Sequence, residues 1–146
     1  MRIGWCLAML FALGCGSGAE PASSDFPADA FVTLPSQSQA LVVAVRTAPQ
    51  PPTRGGQSAQ YSITEAASGK PASLLSLDVV PWMPSMGHGT SAVPTAEEVS
   101  PGTYLISNIY FYMAGHWVLR TTISSSASAD MGGAQSDYVE PSFQIP

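Results

Sequence analysis

The chain has 146 residues, 5 basic and 10 acidic, for a formal net charge of −5 at neutral pH. No basic patch breaks this acidic balance, which argues against nucleic-acid binding. Its length suits one domain and not two.

The amino terminus reads as an export signal. Arg2 supplies a positive charge, and residues 3–13 are mostly apolar. That run suits the h-region of a signal peptide and is too short to span a bilayer. It ends in Ala12-Leu13-Gly14-Cys15, which resembles the lipobox of bacterial lipoproteins. We therefore expect residues 1–14 to be removed and Cys15 to carry the lipid that anchors the chain in a membrane. The competing readings are ordinary cleavage after Ser17-Gly18-Ala19 and a buried apolar helix. Gly16 after the lipid cysteine, where Asp is absent, points to the periplasmic side of the outer membrane. With Cys6 lost and Cys15 acylated, no thiol remains for a disulfide, a zinc cluster or a nucleophile. Loss of Arg2 takes the net charge of the mature chain to −6.

Residues 15–38 are rich in Gly, Ser, Ala and Pro and are expected to form a flexible lipidated stalk. The folded domain is expected over 39–124. Within it, Leu41–Val45, Gln60–Thr64 and Leu74–Val80 are short β-rich runs separated by turn residues such as Gly69 and Pro71. No window of helical length carries an apolar stripe free of Gly and Pro. Short strands with frequent turns predict an all-β fold, a small antiparallel β-sandwich.

Two strand-like runs, Thr103–Met113 and His116–Ile123, are separated only by Ala114-Gly115. A two-residue hairpin there would pair Tyr112 with Trp117, Tyr110 with Leu119 and Ile106 with Ile123 on a core face. Met113 would then face His116, Phe111 would face Val118 and Ile109 would face Arg120. The tail, 125–146, is of low complexity to residue 137, and its apolar end can add one edge strand or trail.

The chemistry-bearing residues fall in two short stretches, Trp82–Gly89 and Met113–Trp117. Together they contain Met83, Met86, His88, Met113 and His116. Thioether and imidazole without thiolate or clustered carboxylate suit copper, above all Cu(I), and suit calcium, magnesium or zinc poorly. The plainer reading makes the methionines core filler and the histidines loop caps. No serine sits in a nucleophile setting near either histidine, so no enzymatic activity is expected. Glu97 and Glu98 read as a solvated turn.

Residues of about 60–123 resemble the YtkA-like domain family of small exported proteins. The likeness lies in Met83-Pro-Ser-Met-Gly-His88, then Pro101-Gly-Thr-Tyr104, then Phe111-Tyr-Met-Ala-Gly-His-Trp117. The resemblance implies an immunoglobulin-like sandwich and, through relatives linked to copper handling, a bound copper ion. Met83, Met86, His88 and Met113 match the family pattern; His116 falls at a variable position. The implied function is copper handling or delivery, with a protein partner that gives or receives the metal. The alternative is a metal-free recognition or structural module of the cell envelope.

Replacing Cys15 by alanine should release the protein from membranes or leave an unprocessed precursor. Metabolic labelling with a fatty acid checks this: wild type should be marked and Cys15→Ala should not.

Overall fold

The computed structural model describes residues 25–125 and 136–146. The expected signal peptide, Cys15 and the centre of the low-complexity tail lie outside the described residues. No helix among the described residues is long and apolar enough to cross a membrane.

Ten strands make the fold: β1 (Val32–Pro35), β2 (Leu41–Ala48), β3 (Gly55–Glu65), β4 (Leu75–Met83), β5 (His88–Gly89), β6 (Thr95–Ser100), β7 (Thr103–Phe111), β8 (Gly115–Ser125), β9 (Ser136–Val139) and β10 (Ser142–Ile145). They form two antiparallel sheets. The first has the order β1-β2-β3-β7-β6; the second runs β10-β8-β4-β5, with β9 also against β8. This is the all-β sandwich that the period-two patterning predicts. Val43, Val45, Ala59, Tyr61 and Ile63 alternate into the core from β2 and β3, while Trp117, Leu119 and Ile123 enter it from β8. Each face that packs inward does so because alternate side chains of a strand point to one side.

Three expectations are corrected. The stalk does not extend to residue 38, because β1 pairs in register with β2, Val32 opposite Val45 through Pro35 opposite Val42. Phe31 stacks on Phe143 with ring centroids 5.5 Å apart, tying this segment to the end of the chain. The tail supplies two strands, since β9 pairs Thr121 with Val139 and β10 pairs Trp117 with Phe143.

The third correction is larger. The runs at 103–111 and 115–125 do not form a hairpin: β7 lies between β3 and β6, and β8 between β4 and the C-terminal strands. The chain crosses from one sheet to the other through Tyr112–Ala114, so none of the expected pairs forms, Met113 with His116 included. The face assignment changes too. Asn108 takes a φ of 61° where the β3–β7 register shifts. This bulge reverses the alternation, burying Ile109 and Phe111 and turning Tyr110 and Tyr112 outward. The aromatic contact across the sandwich is therefore Phe111 with Trp117, centroids 5.3 Å apart.

Trp117 is fully buried, and its Nε1 donates to the Met113 carbonyl at 2.9 Å. Arg120 lies on the outer face of the second sheet, its guanidinium 4.3 Å from the centre of the Trp82 ring. Trp117→Ala should cost about 3–5 kcal/mol through cavity formation. Arg120→Ala should cost only about 0.5–1 kcal/mol, the scale of an exposed cation–π contact. Denaturant melts of the two variants check the ranking.

Candidate functional site

The first chemistry-bearing stretch is a tight hairpin. Trp82 pairs with Gly89 and Met83 with His88, leaving Pro84–Gly87 as the connection. The Met83 carbonyl accepts from the amides of Met86 at 3.1 Å and Gly87 at 3.0 Å. Pro84 presets the turn, and Gly87 closes it at a φ of 66°, a conformation costly for other residues.

The hairpin sits at the end of the second sheet, beside the crossing between β7 and β8. Met83 is buried in the core, and its Cε packs so closely on Gly115 that a Cβ there would lie 2.5 Å away. Gly115 follows Met113 by two residues, so the crossing brings Met113 to the same end as Met83 and His88. Paired residues of an antiparallel ladder share a face, which places His88 on the side of Met83. Met86 is 57% exposed at the turn and Met113 is 37% exposed at the crossing. The His88 Nδ1 lies 3.0 Å from the Gly89 carbonyl. In the tautomer that donates from Nδ1 to this carbonyl, the Nε2 lone pair is left for an electrophile.

His116 departs from this group. Its neighbour Trp117 is buried, so alternation turns the exposed His116 to the outer face of the sheet, opposite Gln144 of β10. Among the described residues no group of three or more His, Cys, Asp or Glu is placed to hold a metal. Any metal at this end depends on the methionines.

Sequence reasoning missed the work of Glu98. Its two oxygens accept from the Gly102 amide at 3.0 Å and the Leu74 amide at 2.9 Å. It thus ties the Pro101-Gly102 turn to the segment that enters β4. The available signal was its spacing of four residues before a Pro-Gly turn. Near it, Tyr104 donates to the Ala72 carbonyl at 2.8 Å. The same sequence reading missed the exposed pair Tyr110 and Tyr112, whose ring centroids lie 4.4 Å apart.

With these features in place, the sequence comparison is decisive: the model of the YtkA-like family matches residues 36–122. The chain belongs to the YtkA-like family. The match begins after β1 and ends within β8. No curated protein sequence matches the chain. Among solved structures, this YtkA-like fold is similar to a copper-bound variant of FetP from uropathogenic Escherichia coli strain F11. The likeness has 13% identity and a TM-score of 0.52, covering 77% of this chain and 93% of that one. FetP of the same strain, as isolated after expression in the periplasm, gives 13% identity and a TM-score of 0.52 over 79% of this chain and 93% of that one. At this identity the likeness is one of fold.

Hydrogen bonds from the Gly102 and Leu74 amides hold the Glu98 carboxyl below its ordinary pKa, against a smaller opposing effect of burial. A depressed carboxyl stabilises the fold above its unfolded pKa, and that contribution is lost as pH falls through the folded value. Glu98→Gln should therefore flatten the acid limb of stability, narrowing the gap between wild type and variant below about pH 4.5. Thermal melts from pH 3 to 7 measure it.

Proposed function

We propose that the chain is a membrane-anchored extracytoplasmic lipoprotein that binds a copper ion at the end of its sandwich. Copper handling or delivery is then its role, and it acts as a binding protein, not an enzyme. The observation that carries this reading is the approach of the Met83–His88 hairpin to the β7–β8 crossing, with the Met83 methyl against Gly115 beside Met113. Met83, Met86, Met113 and the free Nε2 of His88 make a donor set of three thioethers and one imidazole. Three or four soft donors suffice for Cu(I), and a set without carboxylate disfavours hard cations. The copper-bound state of a structurally similar FetP variant supports the choice of metal. His116, on the outer face, stands outside this shell. The export signal ending at Cys15 supports the anchored, extracytoplasmic placement, and a protein partner would give or take the metal.

Two properties follow. An imidazole must be neutral to ligate, whereas thioethers do not titrate, so the site should lose part but not all of its Cu(I) affinity in acid. Leucine preserves most of a methionine's volume while deleting the sulfur.

The experiment is competition of the full chain against a Cu(I) chelator for wild type, Met86→Leu, His88→Ala and His116→Ala. Met86→Leu and His88→Ala should each weaken copper retention by about tenfold or more, the scale of losing one ligand interaction. His116→Ala should retain copper as wild type does. Undiminished retention in folded Met86→Leu and His88→Ala would overturn this donor set, and failure of wild type to retain Cu(I) would leave a metal-free envelope module as the function.

A further inference from the structure

Among the described residues a cavity lies at the end of the sandwich opposite the Met/His rim. β4 runs from Leu75 to Met83 and β8 from Gly115 to Ser125, so their far ends, Leu75 and Ser125, mark the other pole. There the two sheets part around a cavity of about 420 Å³. Leu41, Leu75, Ala72 and Ile123 supply its apolar lining, and Glu65 and Asp137 line it together with several serines. The volume and the combination of apolar lining with few polar groups are those of small-ligand clefts, which run from roughly 300 to 1,000 Å³.

The two carboxylates set the charge of the ligand. Asp137 is held rigidly: its Oδ1 accepts from the Ser38 and Tyr138 amides at 3.0 and 2.8 Å, and its Oδ2 from the Ser38 hydroxyl at 2.6 Å. Burial would raise its pKa, but these bonds and one from the Ser36 side chain outweigh it and keep the group ionised. Glu65 accepts from the Ser68 hydroxyl at 2.6 Å. Among the described residues neither carboxylate makes an ion pair with a Lys or Arg. An apolar lining with two carboxylates that lack a basic partner among the described residues complements an apolar body with a cationic head and opposes an anionic one.

We propose that this cavity binds a small amphiphilic primary ammonium, with its alkyl part on Leu41, Leu75 and Ile123 and its ammonium between Glu65 and Asp137. The site is independent of copper, lying at the opposite pole from the methionines. Ala40 lines the mouth with an exposed side chain, so Ala40→Trp blocks entry without touching the core.

Isothermal titration of the full chain with octylammonium, octanol and octanoate tests the proposal. Octylammonium should bind saturably and tighter than octanol, and octanoate should bind weakest. Added salt should erode the advantage of the ammonium. Ala40→Trp should lower octylammonium affinity at least severalfold at unchanged melting temperature. Glu65→Gln should bring octylammonium towards octanol without altering octanol binding, a readout that holds even where Ala40→Trp destabilises the chain. Absence of octylammonium binding to wild type, or octanoate binding as tightly, overturns the proposal. Copper retention is unaffected in either case, so this failure and that of the copper reading are distinguishable.

Discussion

The buried indole of Trp117 is the constraint on which the rest of this molecule depends. A fully buried N–H without an acceptor carries a desolvation cost of about 1–3 kcal/mol, and this one finds the Met113 carbonyl four residues back. That bond shapes the short passage by which the chain leaves the first sheet and enters the second. The passage demands a residue tolerant of φ 132° at its exit, and Gly115 supplies it. The same glycine, lacking a Cβ, lets Met83 close in from β4. The requirements of one tryptophan thus bring the end of β4 against the crossing, and the candidate donors gather there as a consequence of core packing.

Three strands were legible in the sequence because period-two alternation survives within them. Leu41–Val45 grows into β2, Gln60–Thr64 into β3, and Leu74–Val80 into β4. Pairing was not legible at 103–123. Two apolar runs two residues apart carry the local signature of a hairpin, and nothing local distinguishes a hairpin from a crossing between sheets. That choice is made by long-range partners: β3 and β6 claim β7, while β4 and β10 claim β8. The face of Tyr110 and Tyr112 failed for a different reason. One bulge at Asn108 inverts every later residue of the strand, and a single exposed Asn gives little warning of it.

The candidate site divides along the same line. The turn at Pro84–Gly87 is specified by its own residues, so a break in the strand was readable from Pro and Gly spacing, whereas the pairing of Met83 with His88 was not. The grouping of Met83 with Met113 is set by the second sheet's register and by the fit at Gly115, both tertiary facts. His116 illustrates the limit of proximity in sequence. It lies three residues from Met113 and one from Trp117, yet strand alternation sends it to the opposite face of the sheet.

Charge is distributed along the axis between the poles in a way that bears on which ion the rim can hold. Residues 79–94 and 107–119, which reach the Met/His end, contain no Asp, Glu, Lys or Arg, and Arg54 adjoins that end beside Gly55, the partner of Phe111. Glu65 and Asp137 line the opposite cavity, and Glu98 is spent on amide hydrogen bonds near the entry to β4. A hard divalent cation needs several anionic oxygens to repay its dehydration, and among the described residues no such group is placed to hold a metal. A soft monovalent ion loses far less in leaving water and gains from polarisable sulfur. Under the proposed copper reading, the scarcity of carboxylates in these segments would disfavour the commoner divalent ions. Met83 fills the core beside Gly115, where its methyl packs against the crossing, and under the copper reading the same side chain would offer its thioether at that end.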